Sequence, residues 1–166
     1  MWAEVEPAMN LSVRDLCWRP YPGHPHGCPN YGRRPTCPPQ APIFWSVLDR
    51  RAPVWAIWTT FDLGAHVERM RARHPGWSWR QLVNCLYWQG GARAALRREC
   101  ERFLQRLSPT ADWIVWTPEA CGIDVTATMA RVGEVLEWPP RTVTYQVALG
   151  GRVLCSLSRT SNGQQR

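Results

Sequence analysis

Hydrophobic and polar positions follow two different periods along this chain, and each change of period marks a boundary between predicted elements. Residues 53–61 (PVWAIWTTF) combine aromatic and β-branched side chains and predict a buried strand. Asp62 then suits the N-cap of a helix that ends before Pro75. A second short strand is predicted over residues 112–117 (DWIVWT).

The longest helical pattern begins at Ser78, an N-cap candidate, and ends at residue 107. Apolar residues recur in it at spacings of four, three and four and predict one buried stripe: Leu96, Cys100, Phe103 and Leu107. Arginines recur at spacings of four and predict an exposed basic ridge: Arg98, Arg102 and Arg106. Gly90 and Gly91 lie within the pattern, so we expect a kink there or the close approach of another backbone.

The last third of the chain predicts one more helix and a pair of strands. The helix is expected over residues 124–134, and the alternating residues 142–149 (TVTYQVAL) predict a strand. Gly150 and Gly151 are typical of a hairpin turn, which would return residues 152–158 as the partner strand.

These elements predict an α/β (α+β) fold: a single mixed β-sheet of about four strands with helices packed on it. The 166 residues suffice for one domain, which we expect over residues 1–158, with a disordered tail at residues 159–166. A loop rich in proline and cysteine precedes the first predicted strand.

That loop, residues 17–39 (CWRPYPGHPHGCPNYGRRPTCPP), holds three cysteines, two histidines and seven prolines. Proline removes backbone donors and fixes φ, so neither a helix nor a strand is expected here. A segment with so few regular hydrogen bonds needs another source of order, and soft ligands at close spacing predict a bound metal or metal cluster.

Cys17, Cys28 and Cys37 are the predicted ligands. Ten and eight residues separate them, which is wider than zinc-finger spacing. Cys37 precedes a proline, as in ferredoxin-type cluster loops. The fourth ligand is left open between Cys121, which follows the 112–117 strand, and a histidine (His24 or His26); an unfilled fourth position is the third alternative.

The composition of the chain and its N-terminal residues indicate in which compartment the protein lies and whether it contacts a membrane. No apolar run approaches the roughly 18 residues that span a bilayer, and the N-terminus carries acids where a secretory signal has basic residues, so we expect a cytoplasmic protein without membrane contact. In the cytoplasm, cysteines are expected to bind metal or take part in catalysis rather than form disulfides, and this chain has seven of them. Those outside the proposed site lie on apolar faces and are expected to be buried: Cys85, Cys100 and Cys155.

The net charge is +7, and all 20 basic residues are arginine. Genomic base composition explains an all-arginine chain; a nucleic-acid or phosphate partner is the alternative, because arginine binds phosphate bidentately. In that case Arg98, Arg102 and Arg106 would form the contact surface.

Two segments resemble a known family. Residues 27–39 (GCPNYGRRPTCPP) resemble the Cys, Tyr-Gly, Cys-Pro-Pro signature of the predicted metal-binding proteins (domain of unknown function 2284), and residues 118–133 (PEACGIDVTATMARVG) resemble the later Glu-Ala-x-Gly-Ile-Asp-Val segment of that family. The resemblance implies an iron-sulfur or zinc site at Cys28 and Cys37 and extends to Cys17. Family members often carry a second cysteine-rich group before the Glu-Ala segment; this chain has none, so one centre is expected.

The expected function is therefore a metal-binding protein with one cysteine-ligated centre. The wide spacing and the Cys-Pro pair favour a [4Fe-4S] cluster, with a redox, sulfur-transfer or structural role, whereas the nearby histidines favour Zn²⁺. The alternative is a zinc-stabilised nucleic-acid-binding module that uses an arginine and tryptophan surface. The sequence identifies no catalytic residue and leaves open whether the protein is an enzyme.

Overall fold

The computed structural model describes residues 1–20 and 24–154. Within these ranges, four strands form one sheet in the order β1-β2-β4-β3: β1 (Trp2–Glu4), β2 (Trp55–Asp62), β3 (Trp113–Val115) and β4 (Val143–Gly151). The α+β fold with a four-stranded sheet is confirmed. Every pairing in it is antiparallel, whereas the sequence predicted a mixed sheet. β2 and β3 do run parallel to each other, but β4 lies between them and pairs with both.

The hairpin predicted at Gly150 and Gly151 is wrong, because β4 continues straight through both glycines. Packing explains them better than a turn does. A Cβ atom at Gly150 would lie 2.5 Å from the Phe103 ring and 3.0 Å from Ile57. Glycine is therefore required where the strand passes under an aromatic ring. Of the predicted return strand over residues 152–158, the described part pairs elsewhere, because Val153 forms a bridge with Leu48. Residues 155–158 and the tail predicted at residues 159–166 lie outside the described residues.

The helix after β2 was predicted correctly. α1 spans Leu63–Arg73, and the Asp62 carboxylate accepts a hydrogen bond from the Ala65 N–H at 2.7 Å. The predicted helix over residues 124–134 is shorter in the structure, where α4 spans Val125–Ala130.

The single long helix predicted from Ser78 is broken into three pieces: α2 (Trp79–Leu82), a 3-10 helix (Cys85–Tyr87) and α3 (Gln89–Leu107). The break precedes the two glycines that we expected to cause it. Asn84 accepts a hydrogen bond from the Leu86 N–H at 3.1 Å, and the Trp88 indole donates to the Val83 carbonyl at 3.2 Å. These side chains give the backbone partners outside the helical ladder.

Each face of the sheet covers a separate core. On one face, α3 buries its predicted stripe against Trp55, Ile57 and Ala148. On the other, α4 and a 3-10 helix (Phe44–Ser46) pack against Ala56, Trp58 and Leu149. The turn that contains Cys121 contributes to the core on this second face. Among the described residues, no helix combines the length and the apolar character needed to cross a membrane.

Candidate metal centre

Cys17 is the last residue of a 3-10 helix (Leu11–Cys17) that the sequence did not predict. The Asn10 side chain caps this helix by accepting a hydrogen bond from the Ser12 N–H at 3.2 Å. The Asn10 N–H donates to the Gly122 carbonyl at 2.8 Å. The helix is thereby fixed beside the turn that contains Cys121.

Cys28 is brought to Cys17 by direct backbone contact. The Cys28 N–H donates to the Cys17 carbonyl at 2.7 Å. Gly27 has a φ of 77°, and a Cβ atom there would lie 2.6 Å from the Trp18 carbonyl oxygen and 2.8 Å from that of Cys17. Only glycine combines this conformation with so close an approach of two backbones.

Cys37 lies in a series of turns held by local hydrogen bonds. Its N–H donates to the Arg34 carbonyl at 3.0 Å, and its carbonyl accepts from the Ala41 N–H at 2.9 Å. The Thr117 hydroxyl donates to the Thr36 carbonyl at 3.1 Å, which joins this part of the loop to the chain that leaves β3. We call residues 36–41 the Cys37 limb.

The three predicted ligands share one electrostatic neighbourhood. Cys17, Cys28 and Cys37 are half-buried free thiols. Burial raises the pKa of Cys17, and the charges of Cys28 and Cys37 raise it further. Cys17 is therefore influenced by two cysteines that lie at a distance from it in the sequence.

The proposed fourth ligands differ in their surroundings. Cys121 is buried in the core on the α4 face. Burial raises its pKa to about 11, while the charge of Arg14 lowers it. His24 and His26 are exposed. The identity of the fourth ligand stays a prediction.

Sequence reasoning missed two charged residues that connect these parts, Arg14 and Glu119. Arg14 Nη2 donates to the carbonyls of Pro39 and Ala41, each at 3.0 Å. The charges of Arg14 and Glu119 act on both Cys17 and Cys121. Glu119 lies inside the second segment that resembles the metal-binding family, which could have drawn attention to it; no sequence pattern distinguishes Arg14.

Over residues 1–20 and 24–154, no group of three or more histidine, cysteine, aspartate or glutamate side chains is arranged to hold one metal ion. A buried donor, Arg14 Nη1, has no hydrogen-bond partner in the described part of the chain, and an anionic sulfur site would supply one.

The remaining cysteines divide into two environments. Cys100 is buried on the α3 stripe, as predicted, whereas Cys85 is exposed, and its predicted burial is wrong. The reason is the break before α3, which places Cys85 in a short 3-10 helix instead of on a helical stripe. Cys155 lies outside the described residues.

We expect the folded protein to lose stability in alkali, because the thiol of Cys100 is buried. Burial raises its pKa from 9.0 to about 12. In the unfolded chain the thiol loses its proton near pH 9, whereas in the folded protein it stays protonated and neutral up to about pH 12. The full stability is therefore present below pH 9 and is lost as the pH rises from 9 toward 12. We expect the free energy of unfolding in urea to fall by about 1.4 kcal/mol per pH unit in this window because of this group. Cys100→Ala should lack that component, and equal pH slopes in the two proteins would contradict the assignment.

The predicted basic ridge is exposed on α3, at Arg98, Arg102 and Arg106. Arg102 forms an ion pair with Glu99, with an Nη1–Oε2 distance of 3.0 Å. The exposed tryptophans of the described residues lie elsewhere, at positions 18, 79, 116 and 138. A nucleic-acid partner for this ridge stays a prediction.

Comparison of the chain with protein-family models, with curated proteins and with solved structures finds no match. The resemblance to the predicted metal-binding proteins therefore stays a prediction that rests on the two segments quoted above.

Proposed function

We propose that this protein binds one metal centre through Cys17, Cys28 and Cys37, and that the centre is a [4Fe-4S] cluster with a redox, sulfur-transfer or structural role. The observation that carries the proposal is the backbone contact between Cys17, at the end of a 3-10 helix, and Cys28, together with the influence of Cys28 and Cys37 on the half-buried Cys17 thiol. Bringing thiolates together costs free energy through repulsion, and a bound cation offsets that cost.

The backbone around the cysteines supports the same conclusion. Gly27 and the Cys28 N–H hold Cys17 and Cys28 next to each other through the backbone alone, and the bond from Thr117 fixes the Cys37 limb. Such preorganisation reduces the ordering cost of ligation. When bound, a [4Fe-4S] cluster would supply a one-electron couple or an iron that accepts a substrate ligand; the chain itself supplies thiolates and a nearby guanidinium.

The fourth position decides between these roles. If Cys121, His24 or His26 completes the site, the centre is fully ligated, which suits electron transfer or a structural role. If none of them binds, one iron is open to an external ligand, which suits sulfur transfer. Removal of each side chain in turn separates the two cases, because only a true ligand is needed for retention of the centre.

The proposal is tested by anaerobic purification followed by metal and sulfide analysis and visible absorption. We expect a brown protein with about four iron and four sulfide per chain. Colourless protein with stoichiometric zinc would reject the cluster and retain the metal site. Protein that binds neither metal, also after reconstitution with iron and sulfide, would reject the proposal as a whole.

A further inference from the structure

We propose that Arg14 is the counter-charge of the cysteine site, and that its Nη1 would donate a hydrogen bond to sulfur of the bound centre while its Nη2 holds the Cys37 limb in place. This inference rests on the proposed metal-binding function. It assigns Arg14 as a positioning residue that acts through the ligands.

Helix geometry places Arg14 beside the first ligand. Arg14 and Cys17 are three residues apart in a 3-10 helix, and side chains at that spacing are eclipsed on one face. Arg14 and Cys17 therefore project from the same side. The ligand loop and the Cys121 turn pack against this short helix.

The hydrogen bonds of the guanidinium are divided between two tasks. Nη2 donates to the carbonyls of Pro39 and Ala41, which lie in the last part of the Cys37 limb. Nη1 is buried and has no acceptor among the residues that the structure describes. Arg14 as a whole is half-buried, but an unsatisfied donor at a buried nitrogen is costly, so an acceptor is expected on that side.

The neighbours of Arg14 indicate what lies on that side. Cys17 shares its face of the 3-10 helix, and the Asn10 N–H that begins this helix donates to the carbonyl of Gly122, the residue after Cys121. Thiolate or cluster sulfur is an acceptor of the right charge for Nη1, and hydrogen bonds to sulfur together with net charge tune the reduction potential of a cluster.

Lysine would be a poor substitute. The guanidinium is a rigid planar fork that can reach two carbonyls with one nitrogen and a sulfur with the other. A lysine ammonium keeps the charge but lacks this fork. Arg14→Lys and Arg14→Met therefore separate the effect of charge from the effect of geometry.

The experiment measures iron release to a chelator and the midpoint potential of the bound centre in wild type, Arg14→Lys and Arg14→Met. Arg98→Met is the matched control, because it removes the same charge from an exposed position on α3. We expect Arg14→Met to bind the metal about 10- to 100-fold more weakly and to shift the potential to more negative values. Arg14→Lys should lose affinity but shift the potential less, and Arg98→Met should match wild type.

The outcomes distinguish this inference from the proposed function. Wild-type affinity and potential in Arg14→Met would overturn the role of Arg14 and leave the metal site intact. A wild-type protein that binds no metal would overturn both. If circular dichroism shows that Arg14→Met does not fold, Arg14→Lys decides: unchanged affinity in that variant overturns the role.

Discussion

Serine in place of Cys28 is expected to abolish stoichiometric metal binding, and serine at Cys17 or Cys37 should do the same. Replacing a residue that only orients a ligand already lowers metal affinity 10- to 100-fold, so losing a ligand should cost more than about 100-fold. Under the proposed function the three thiols bind one centre, so each single substitution would leave an incomplete donor set. The measurement is iron and sulfide content with visible absorption after anaerobic reconstitution.

Cys85→Ser is the matched control, because Cys85 is an exposed free thiol in another part of the fold. It should bind metal like wild type. Full metal content in any one of the three loop variants would remove that cysteine from the ligand set; full content in all three would refute the site. Cys121→Ser then reports on the fourth position, since loss of the centre indicates complete protein ligation.

Alanine in place of Gly150 is expected to lower the free energy of unfolding by about 1–3 kcal/mol. The new methyl group would lie 2.5 Å from the Phe103 ring, which no real Cβ contact tolerates, so β4 or α3 must shift. Both elements belong to the tightly packed core on the α3 face. Urea unfolding of the metal-free protein measures the change without interference from the cysteine site.

Gly91→Ala is the control with the same chemical change. Its Cβ meets no described atom within 4 Å, and it lies in α3, so it should leave stability unchanged or raise it by up to about 1 kcal/mol. A double variant, Gly150→Ala with Phe103→Leu, should be less destabilised than the sum of the single changes, because the smaller side chain makes room. Strict additivity would show that the ring is not the obstacle.

Sequence patterns predicted correctly the elements that depend on residues close together in the chain. β2 follows from its run of aromatic and β-branched residues, and α1 follows from the Asp62 cap. The hairpin at Gly150 was wrong because the same two glycines that usually make a turn here make room for Phe103, which lies far away in sequence. Such a requirement is invisible to any short window of sequence.

The candidate site shows the same limit. The cysteines themselves were visible in the proline-rich loop, but the contact between Cys17 and Cys28 depends on the 3-10 helix that ends at Cys17 and on the backbone approach at Gly27. The hydrogen bonds of Arg14 go to the carbonyls of Pro39 and Ala41, and carbonyls carry no sequence signal. Cys121 is buried in a core that also contains Val5 and Phe44, which lie far from it in the sequence.

The bond from Thr117 to Thr36 joins residues 81 positions apart. Contacts of such long range form late in folding, because a large loop must close before they stabilise anything. The Cys37 limb thus reaches its final position only after β3, the strand that precedes Thr117, has joined the sheet. Under the proposed function, the metal centre would accordingly be inserted after the chain as far as Thr117 has folded, instead of serving as the nucleus of folding.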